Sequence, residues 1–264
     1  MSRVRLDVAL VERGLLPTRA RAQAAIVAGS VRVDGRTADK PSMQVDQDAD
    51  IQMTERPPFV SRGGEKLAGA LDDFDIDVTG CHVLDVGAST GGFTDCVLKR
   101  GAASVIAVDV GYGQLDWSLR NDPRVTVMER TNARHLVPGD IPYQPDLVVC
   151  DVAFISVATV WPAIAPLMAD AYRAVILVKP QFEVGRARVG SGGVVRDPEA
   201  HRDAIMHVAH AMNAGGAIIR AIASSHLRGP KGNREFFVNA DNDTARPGDL
   251  DIAAAASTAA EVEP

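Results

Sequence analysis

Aromatic residues are scarce in this chain, 5% of 264, and cysteine is scarcer, with only Cys81, Cys96 and Cys150 in no metal-type spacing. Three separated thiols leave one without a mate, which argues against a disulfide-stapled secreted domain and for a reducing, cytoplasmic compartment. No secretory leader is expected, because the start is polar and basic. Long uncharged apolar runs are missing too. The nearest, residues 152–169, is interrupted by Ser156, Thr159, Pro162 and Pro166 and reads as a helix buried against a sheet, so no stable membrane insertion is expected. His207 and His210 share a helical face without a third ligand, so no metal is expected. The dinucleotide fingerprint G-x-G-x-x-G is also absent: Ser89 stands where its second glycine belongs, and Gly91-Gly92 does not restore the spacing.

What is present starts with charge placement. The net charge of −6 looks wrong for a nucleic-acid binder. The ends differ sharply, however: residues 1–36 carry seven arginines against three acids, and residues 241–264 carry six acids against Arg246 alone. A local basic face, rather than the sum, sets affinity for phosphates.

The basic end is patterned. Leu6, Ala9 and Leu10 have helical spacing up to Gly14, and Thr18 can cap a second helix running through Ala22, Ala25 and Ile26 to Gly29. Val31-Arg32-Val33 then alternates into Asp34-Gly35, a tight hairpin signal. A helix pair followed by a small sheet, with Arg3 and Arg5 before the first helix and Arg19 and Arg21 opening the second, resembles the S4-type RNA-binding domain of ribosomal proteins. The resemblance implies structured RNA and not DNA as the partner. The paired prolines of Glu55-Arg56-Pro57-Pro58-Phe59-Val60 disfavour helix and stiffen a connection. They divide the chain into an RNA-binding domain at 1–58, a linker and helix start at 59–64, a larger domain at 65–246 and an acidic, alanine-rich tail at 247–264. The tail reads equally as a short helix capped by Asp249 or as a disordered end.

In the larger domain, the run Val83 to Val86 ends in Gly87-Ala88-Ser89-Thr90-Gly91-Gly92 and then a helical segment, a strand, turn and helix in which small residues let a ligand approach the backbone. About 20 residues further on, the run Val105 to Val108 ends in Asp109, where a doubly wound sheet offers a carboxylate to a ribose. A ribose without a pyrophosphate points to S-adenosylmethionine. The runs Asp146 to Cys150 and Ala174 to Val178 end in Asp151 and Lys179, and ligands of open parallel sheets bind outside the carboxyl ends of strands. If the final strand, beginning near Glu235, runs antiparallel, Glu235 reaches the same edge. Lys66 lies at the margin of the helical stripe Leu67, Ala70, Leu71 and Phe74; alone it reads as an exposed lysine, and its company makes it a fourth member. Two lysines and two carboxylates suit removal of the poorly acidic proton of a ribose 2′-hydroxyl, with one cation lowering the basicity threshold of the other and the carboxylates orienting them.

The stretches Ser61 to Leu67, Asp85 to Thr94, Asp109 to Leu115, Glu129 to Arg134, Asp151 to Ser156 and Lys179 to Gly185 together resemble the TlyA family of ribosomal RNA 2′-O-methyltransferases, also called hemolysins. The resemblance covers residues 3–240. It implies an α/β, Rossmann-like methyltransferase with a doubly wound, mostly parallel sheet and an antiparallel last strand, behind a small α+β RNA-binding domain. It implies S-adenosylmethionine as donor and cytidines of 16S and 23S ribosomal RNA, within ribosomal subunits, as acceptors. It also implies capreomycin sensitivity and a catalytic tetrad of Lys66, Asp151, Lys179 and Glu235. Asp85, Gly87 to Gly92, Asp109, Val110, Asn132 and Asp151 are expected around the donor. Arg3, Arg5, Arg19, Lys40, Arg130, Arg134 and Phe154, the last stacking on a base, are expected at the RNA.

Two other classes compete. A membrane-damaging protein is suggested by the hemolysin name and the 152–169 run, and a non-catalytic ribosome-binding factor by the basic module alone. Cys150 raises a C5-pyrimidine methyltransferase, but strand alternation turns it away from the face that Asp151 uses. Gly190 to Gly193 reads as a mobile loop over the substrate, and Asp197-Pro198 as a helix start.

Overall fold

The computed structural model describes residues 3–27, 29–38, 40–53, 57–246 and 250–262. Two compact units divide at the paired prolines, Met1–Pro58 and Phe59–Pro264.

In the first unit, β1 (Arg3–Arg5) leads into α1 (Leu6–Glu12) and α2 (Arg19–Val27), followed by β2 (Val31–Val33), β3 (Arg36–Thr37), β4 (Gln44–Asp46) and β5 (Ile51–Met53). The hairpin turn puts both Asp34 (φ 49°) and Gly35 (φ 76°) in the left-handed region, which matches the strand twist. Strands β3, β2 and β5 form one small sheet and β1 and β4 a pair. Leu6, Leu10, Ile26, Val31 and Val45 close a core of their own. Asp7 is buried within α1, and its carboxylate accepts from Arg5 (3.0 and 2.9 Å), Arg19 (2.9 Å) and Gln23 (2.8 Å). The Arg5 guanidinium, with Gln23 and Arg19, holds this carboxyl far below the usual range against the opposing effect of burial. Arg5 and Arg19 thus have a partner inside the fold, and Arg3 is paired with Asp46 at 3.2 Å.

The second unit begins earlier than the sequence suggests. Residues 59–64 are not a linker but part of it: the Val60 N–H donates to Asp95 at 2.9 Å, Lys99 lies over the Phe59 ring, and α3 (Arg62–Asp73) already includes Gly63-Gly64. A Cβ on Gly64 would stand 2.4 Å from Phe59 and 2.8 Å from the Gly92 carbonyl, so a bare backbone lets α3 meet α4 (Gly92–Lys99).

Around α3 and α4 run β6 (His82–Val86), β7 (Ser104–Val108), α5 (Trp117–Arg120), β8 (Val125–Met128), β9 (Leu147–Cys150), α6 (Val157–Ile164), β10 (Arg173–Val178), α7 (Pro180–Glu183), α8 (Pro198–Ala214), β11 (Ile218–Ser224), β12 (Phe236–Asp241) and α9 (Ile252–Glu261). The sheet order is β11-β12-β10-β9-β6-β7-β8, with β12 antiparallel to both neighbours and the β10-β9-β6-β7-β8 run parallel. Alternation divides its apolar residues. Val83, Val149, Leu177 and Phe237 pack with α3 and α4, whereas Leu84, Cys150, Ile176 and Phe236 pack with α6, α8 and α9.

Residues 250–262 of the tail dock on the second unit through α9. Asp251, rather than Asp249, caps α9, accepting from the Ala254 N–H at 3.0 Å; Asp249 lies outside the described residues. Ala256 and Ala259 enter the core, and the buried Arg234 guanidinium donates to the carbonyls of Ala259, Ala260 and Val262 at the helix end. Asp197 caps α8 through the Glu199 and Ala200 N–H groups.

Candidate active site

The site follows from one consequence of alternation. Asp85, Asp151, Lys179 and Glu235 each share parity with the residues that face α3 and α4, two positions from Val83, Val149, Leu177 and Phe237. Lys66 projects from α3 into the same layer. The antiparallel register Val178↔Phe236 sets the start of β12 beside the end of β10, so Glu235 reaches Lys179's edge. Gly87 closes the approach: its φ is +86°, and a Cβ there would lie 2.7 Å from the Asp151 carbonyl. Only glycine lets the turn after β6 press against the end of β9.

Two ion pairs result. Lys66 Nζ lies 2.5 Å from Glu235 Oε2, with the side chains 8% and 0% exposed, and Lys179 Nζ lies 2.6 Å from Asp151 Oδ1, at 13% and 24%. Lys66 is therefore buried, against the exposed position its place on the stripe suggests, because Glu235 supplies the counter-charge that burial demands. Burial pushes the Glu235 carboxyl up; Lys66 first and Lys179 second oppose this, and Asp151 adds to it. The four groups thus share one electrostatic environment.

Two cavities meet there. One, of about 410 Å³, is lined by Lys66, Asp151 and Lys179 with Arg62, Arg228 and the turn. The other, of about 430 Å³, is lined by Asp109, Val110, Gln114, Asn132, Val152 and Phe154 among others. Gly87, Ser89 and Asp151 border both.

The second cavity fits the adenosyl part of a methyl donor. Asp109, at the end of β7, accepts from the Ser89 N–H (2.8 Å) and the Gly111 N–H (2.6 Å), one on each oxygen. Each oxygen keeps a lone pair for a ribose hydroxyl. Beneath the turn, Asp85 is fully buried with Oδ1 lacking a hydrogen-bond partner, while Oδ2 accepts from the Thr94 hydroxyl at 2.6 Å. Burial pushes its carboxyl up to about 7, with the charges of Asp151 and Asp109 adding and Thr94 opposing. An orphaned buried carboxylate oxygen under a glycine turn suits a ligand that carries an ammonium group.

That orphan has a measurable stability signature. The native group holds its proton up to about pH 7, whereas an unfolded aspartate loses it near 4, so between those values the native state binds more protons and stability falls as pH rises. Asp85→Asn, which keeps an acceptor for Thr94, is expected to raise the ligand-free melting temperature at pH 8 by about 2–4 °C, for roughly 1 kcal/mol of relief in a domain of this size. The advantage should shrink toward pH 4.5. If the Asp85→Asn variant melts below the wild type at pH 8, then Asp85 is ionised and satisfied.

The other expected residues divide. Asn132 lines the donor cavity and caps the turn that follows it, accepting from the Arg134 N–H at 3.1 Å. Val110 is 70% exposed at the rim. Ala88, Thr90 and Gly92, also expected around the donor, line the first cavity and not the second, on the side of the turn that meets α3. Gly91, also expected there, lines neither, because its Cα faces Leu115 and Leu119. Lys40 and Arg134 are exposed, and the exposed Arg130 stacks its guanidinium 4.1 Å from the Tyr112 ring centroid. Phe154 is 91% exposed. Arg62 and Arg228 join the site without a signal in the sequence. Arg62 stands in the Ser61 to Leu67 stretch, but nothing in its spacing separates it from a solvated arginine, and Arg228 lies in the connection between β11 and β12.

Cys150 is buried on the opposite face and its thiol is pushed up to about 12 by burial, which removes it as a nucleophile. No group of His, Cys, Asp and Glu among the described residues could hold a metal ion. No helix among them is long and apolar enough to cross a membrane; the 152–169 run is a loop, α6 and a 3-10 turn.

Fold and site together define a Rossmann-fold methyltransferase preceded by a basic α+β module. The chain belongs to the FtsJ-like methyltransferase family, which matches residues 59–242, and residues 4–51 match the S4 domain. It is 51% identical over 239 residues to the 16S/23S rRNA (cytidine-2'-O)-methyltransferase TlyA of Mycobacterium tuberculosis, 89% of each chain. It is 37% identical over 239 residues to Hemolysin A of Brachyspira hyodysenteriae, 89% of this chain and 99% of that one. A solved structure from Streptococcus thermophilus that carries the hemolysin name matches with a TM-score of 0.74 at 37% identity, covering 98% and 96% of the two chains.

Proposed function

We propose that this enzyme transfers a methyl group from S-adenosylmethionine to the ribose 2′-hydroxyl of cytidine in 16S and/or 23S ribosomal RNA. The observation that carries the reading is the convergence of two lysine–carboxylate pairs at Asp151 and Gly87, the border of a donor-shaped and an acceptor-shaped cavity. The 51% identity to a cytidine-2'-O-methyltransferase supports the acceptor.

The donor supplies a sulfonium-bound methyl, an electrophile that needs an oxygen nucleophile in line. The protein's task is then to strip and steer a hydroxyl whose proton is weakly acidic. Lys179 lines the first cavity and is held by Asp151, which borders both, and it is the group best placed to take that proton. A lysine can do so only when neutral. Lys66, locked to buried Glu235, orients the hydroxyl and offsets negative charge as it develops on the oxygen.

Exposed Arg130, Arg134 and Phe154 on the second unit, and Lys40 with the arginines of the first, are the RNA contacts of this reading. Intact ribosomal subunits are the proposed partner. The three free thiols support a cytoplasmic site of action.

The acceptor atom is directly testable. Transfer of a radiolabelled methyl to ribosomal RNA should leave one phosphodiester resistant to alkali, since 2′-O-methylation blocks the attacking hydroxyl. A substrate with a single 2′-deoxycytidine at that position should accept none. Methyl transfer to the deoxy substrate would place the acceptor on the base.

A further inference from the structure

Glu183 belongs to neither ion pair, yet its side chain is 1% exposed. Burying a carboxylate is costly unless its oxygens are well bonded, so its partners indicate what it holds. Oε2 accepts from the Ser156 hydroxyl at 2.5 Å and Oε1 from the Val157 N–H at 2.8 Å, while His207 Nε2 lies more distantly, 4.0 Å from Oε2. Ser156 Oγ in turn accepts from the Ala158 N–H at 3.1 Å. The start of α6 is therefore capped by a serine that is itself held by a carboxylate from α7, placed where the helix dipole favours negative charge.

Residues 179–183 run beside the loop 152–156 and touch it, or its flanking residues, at three points. Lys179 pairs with Asp151, the Phe182 and Phe154 rings lie 5.3 Å apart, and Glu183 grips Ser156 and Val157. Between the fixed ends sits Phe154 with φ +66°, a left-handed conformation that a bulky non-glycine residue adopts only where its surroundings impose it. That conformation leaves the ring exposed at the rim of the donor cavity. Nothing in the loop's own sequence favours it.

We propose that Glu183 is a positioning residue for methyl transfer: by fixing Ser156 and Val157 it holds Phe154 in its left-handed, outward pose, where the ring stacks on a base of the bound RNA. The proposal rests on the reading of Phe154 as an RNA contact. The clamp adds no contact to RNA itself. Its contribution is preorganisation, so it acts on capture of the acceptor and not on proton removal.

The experiment is a double-mutant cycle in the full chain, with steady-state methylation of ribosomal RNA, donor affinity by calorimetry and melting temperature read for every variant. Phe154→Ala and Glu183→Ala should each raise KM for RNA about tenfold and change kcat by less than about threefold, the pattern of weakened uniform binding. Phe154 also lines the rim of the donor cavity, so donor affinity is read separately and should change less than KM for RNA, because Asp109 and the glycine turn are untouched. Glu183→Gln, which keeps a carbonyl oxygen for the Val157 N–H, should recover most of the loss. Glu183→Ala added to Phe154→Ala should cost nothing further, since the residue acts through that ring. Should Glu183→Ala fail to fold, Ser156→Ala completes the same cycle with the Val157 bond intact. Normal KM in Glu183→Ala or Ser156→Ala alongside an impaired Phe154→Ala overturns the clamp and leaves the RNA contact standing. Additive losses in the cycle do the same. A Phe154→Ala protein with wild-type KM overturns both.

Discussion

Lys179→Ala is expected to slow methyl transfer by about 10²–10⁴, the usual share of general acid–base catalysis, while donor and RNA still bind nearly normally. Lys179 lines the first cavity beside Asp151 and is 13% exposed, so its removal opens little of the core. Its partner Asp151 is 24% exposed and can take water in place of the ammonium, which keeps the cost to folding modest. Lys179→Arg should be no better than alanine, because a guanidinium carries the charge but cannot give up its proton. Single-turnover transfer with preformed enzyme and RNA separates chemistry from binding. If rate and affinity fell together, or if arginine restored the rate, Lys179 would be an electrostatic anchor and the proton would leave by another route.

Lys66→Ala is a different case, since it strands Glu235 as a lone buried carboxylate. The distinction between the two lysines comes from packing and was not visible in the chain. Strand ends are legible in sequence because apolar runs stop at Asp109, Asp151 and Lys179, and the open-sheet rule then places those residues at one edge. The antiparallel course of the last strand, on which the placement of Glu235 depends, stood only as a condition in the sequence and is supplied by the register Val178↔Phe236. Which cavity a residue faces was not legible. Ala88, Thr90 and Gly92 sit in the same turn as Gly87 and Ser89, and only the bend of that turn toward α3 sets them against the cavity lined by Lys66 and Lys179. Helix periodicity placed Lys66 at the edge of its stripe, where exposure and burial differ by a fraction of a turn, and a counter-charge 169 residues away decides between them. Why Gly63-Gly64 stands at the helix start was not legible either. Glycine is a poor helix former in isolation, yet the contact of α3 with Gly92 and Phe59 requires it. The tail shows the limit of composition: an acidic, alanine-rich segment is ordered by the carbonyl grip of Arg234, a residue that no local pattern connects to it.

Removing residues 1–58 should leave a folded, donor-binding enzyme that no longer captures ribosomal RNA productively. Each unit closes its own hydrophobic core, so residues 59–264 are expected to unfold cooperatively and to bind donor as the full chain does. The cavity lined by Lys66 and Lys179 remains, but the phosphate contacts proposed for the basic module are gone, and binding should lose the steep salt dependence that counterion release gives. Point variants must be chosen with Asp7 in view. Arg5→Glu with Arg19→Glu would put two acids beside a buried carboxylate that these arginines neutralise, and the module should lose its fold rather than only its affinity. Arg21→Glu with Arg36→Glu is the cleaner probe, because both side chains are exposed and form no ion pair among the described residues. Those changes should keep the full chain's melting profile while lowering the slope of log K against log salt by roughly 0.7–0.9 for each phosphate no longer neutralised. Filter binding across a salt series, alongside methylation of isolated subunits, measures both quantities. Full methylation by the truncated chain at ordinary salt would show that the N-terminal unit is dispensable for capture, and an unchanged slope in the Arg21 and Arg36 variant would move the phosphate contacts to another face of the module.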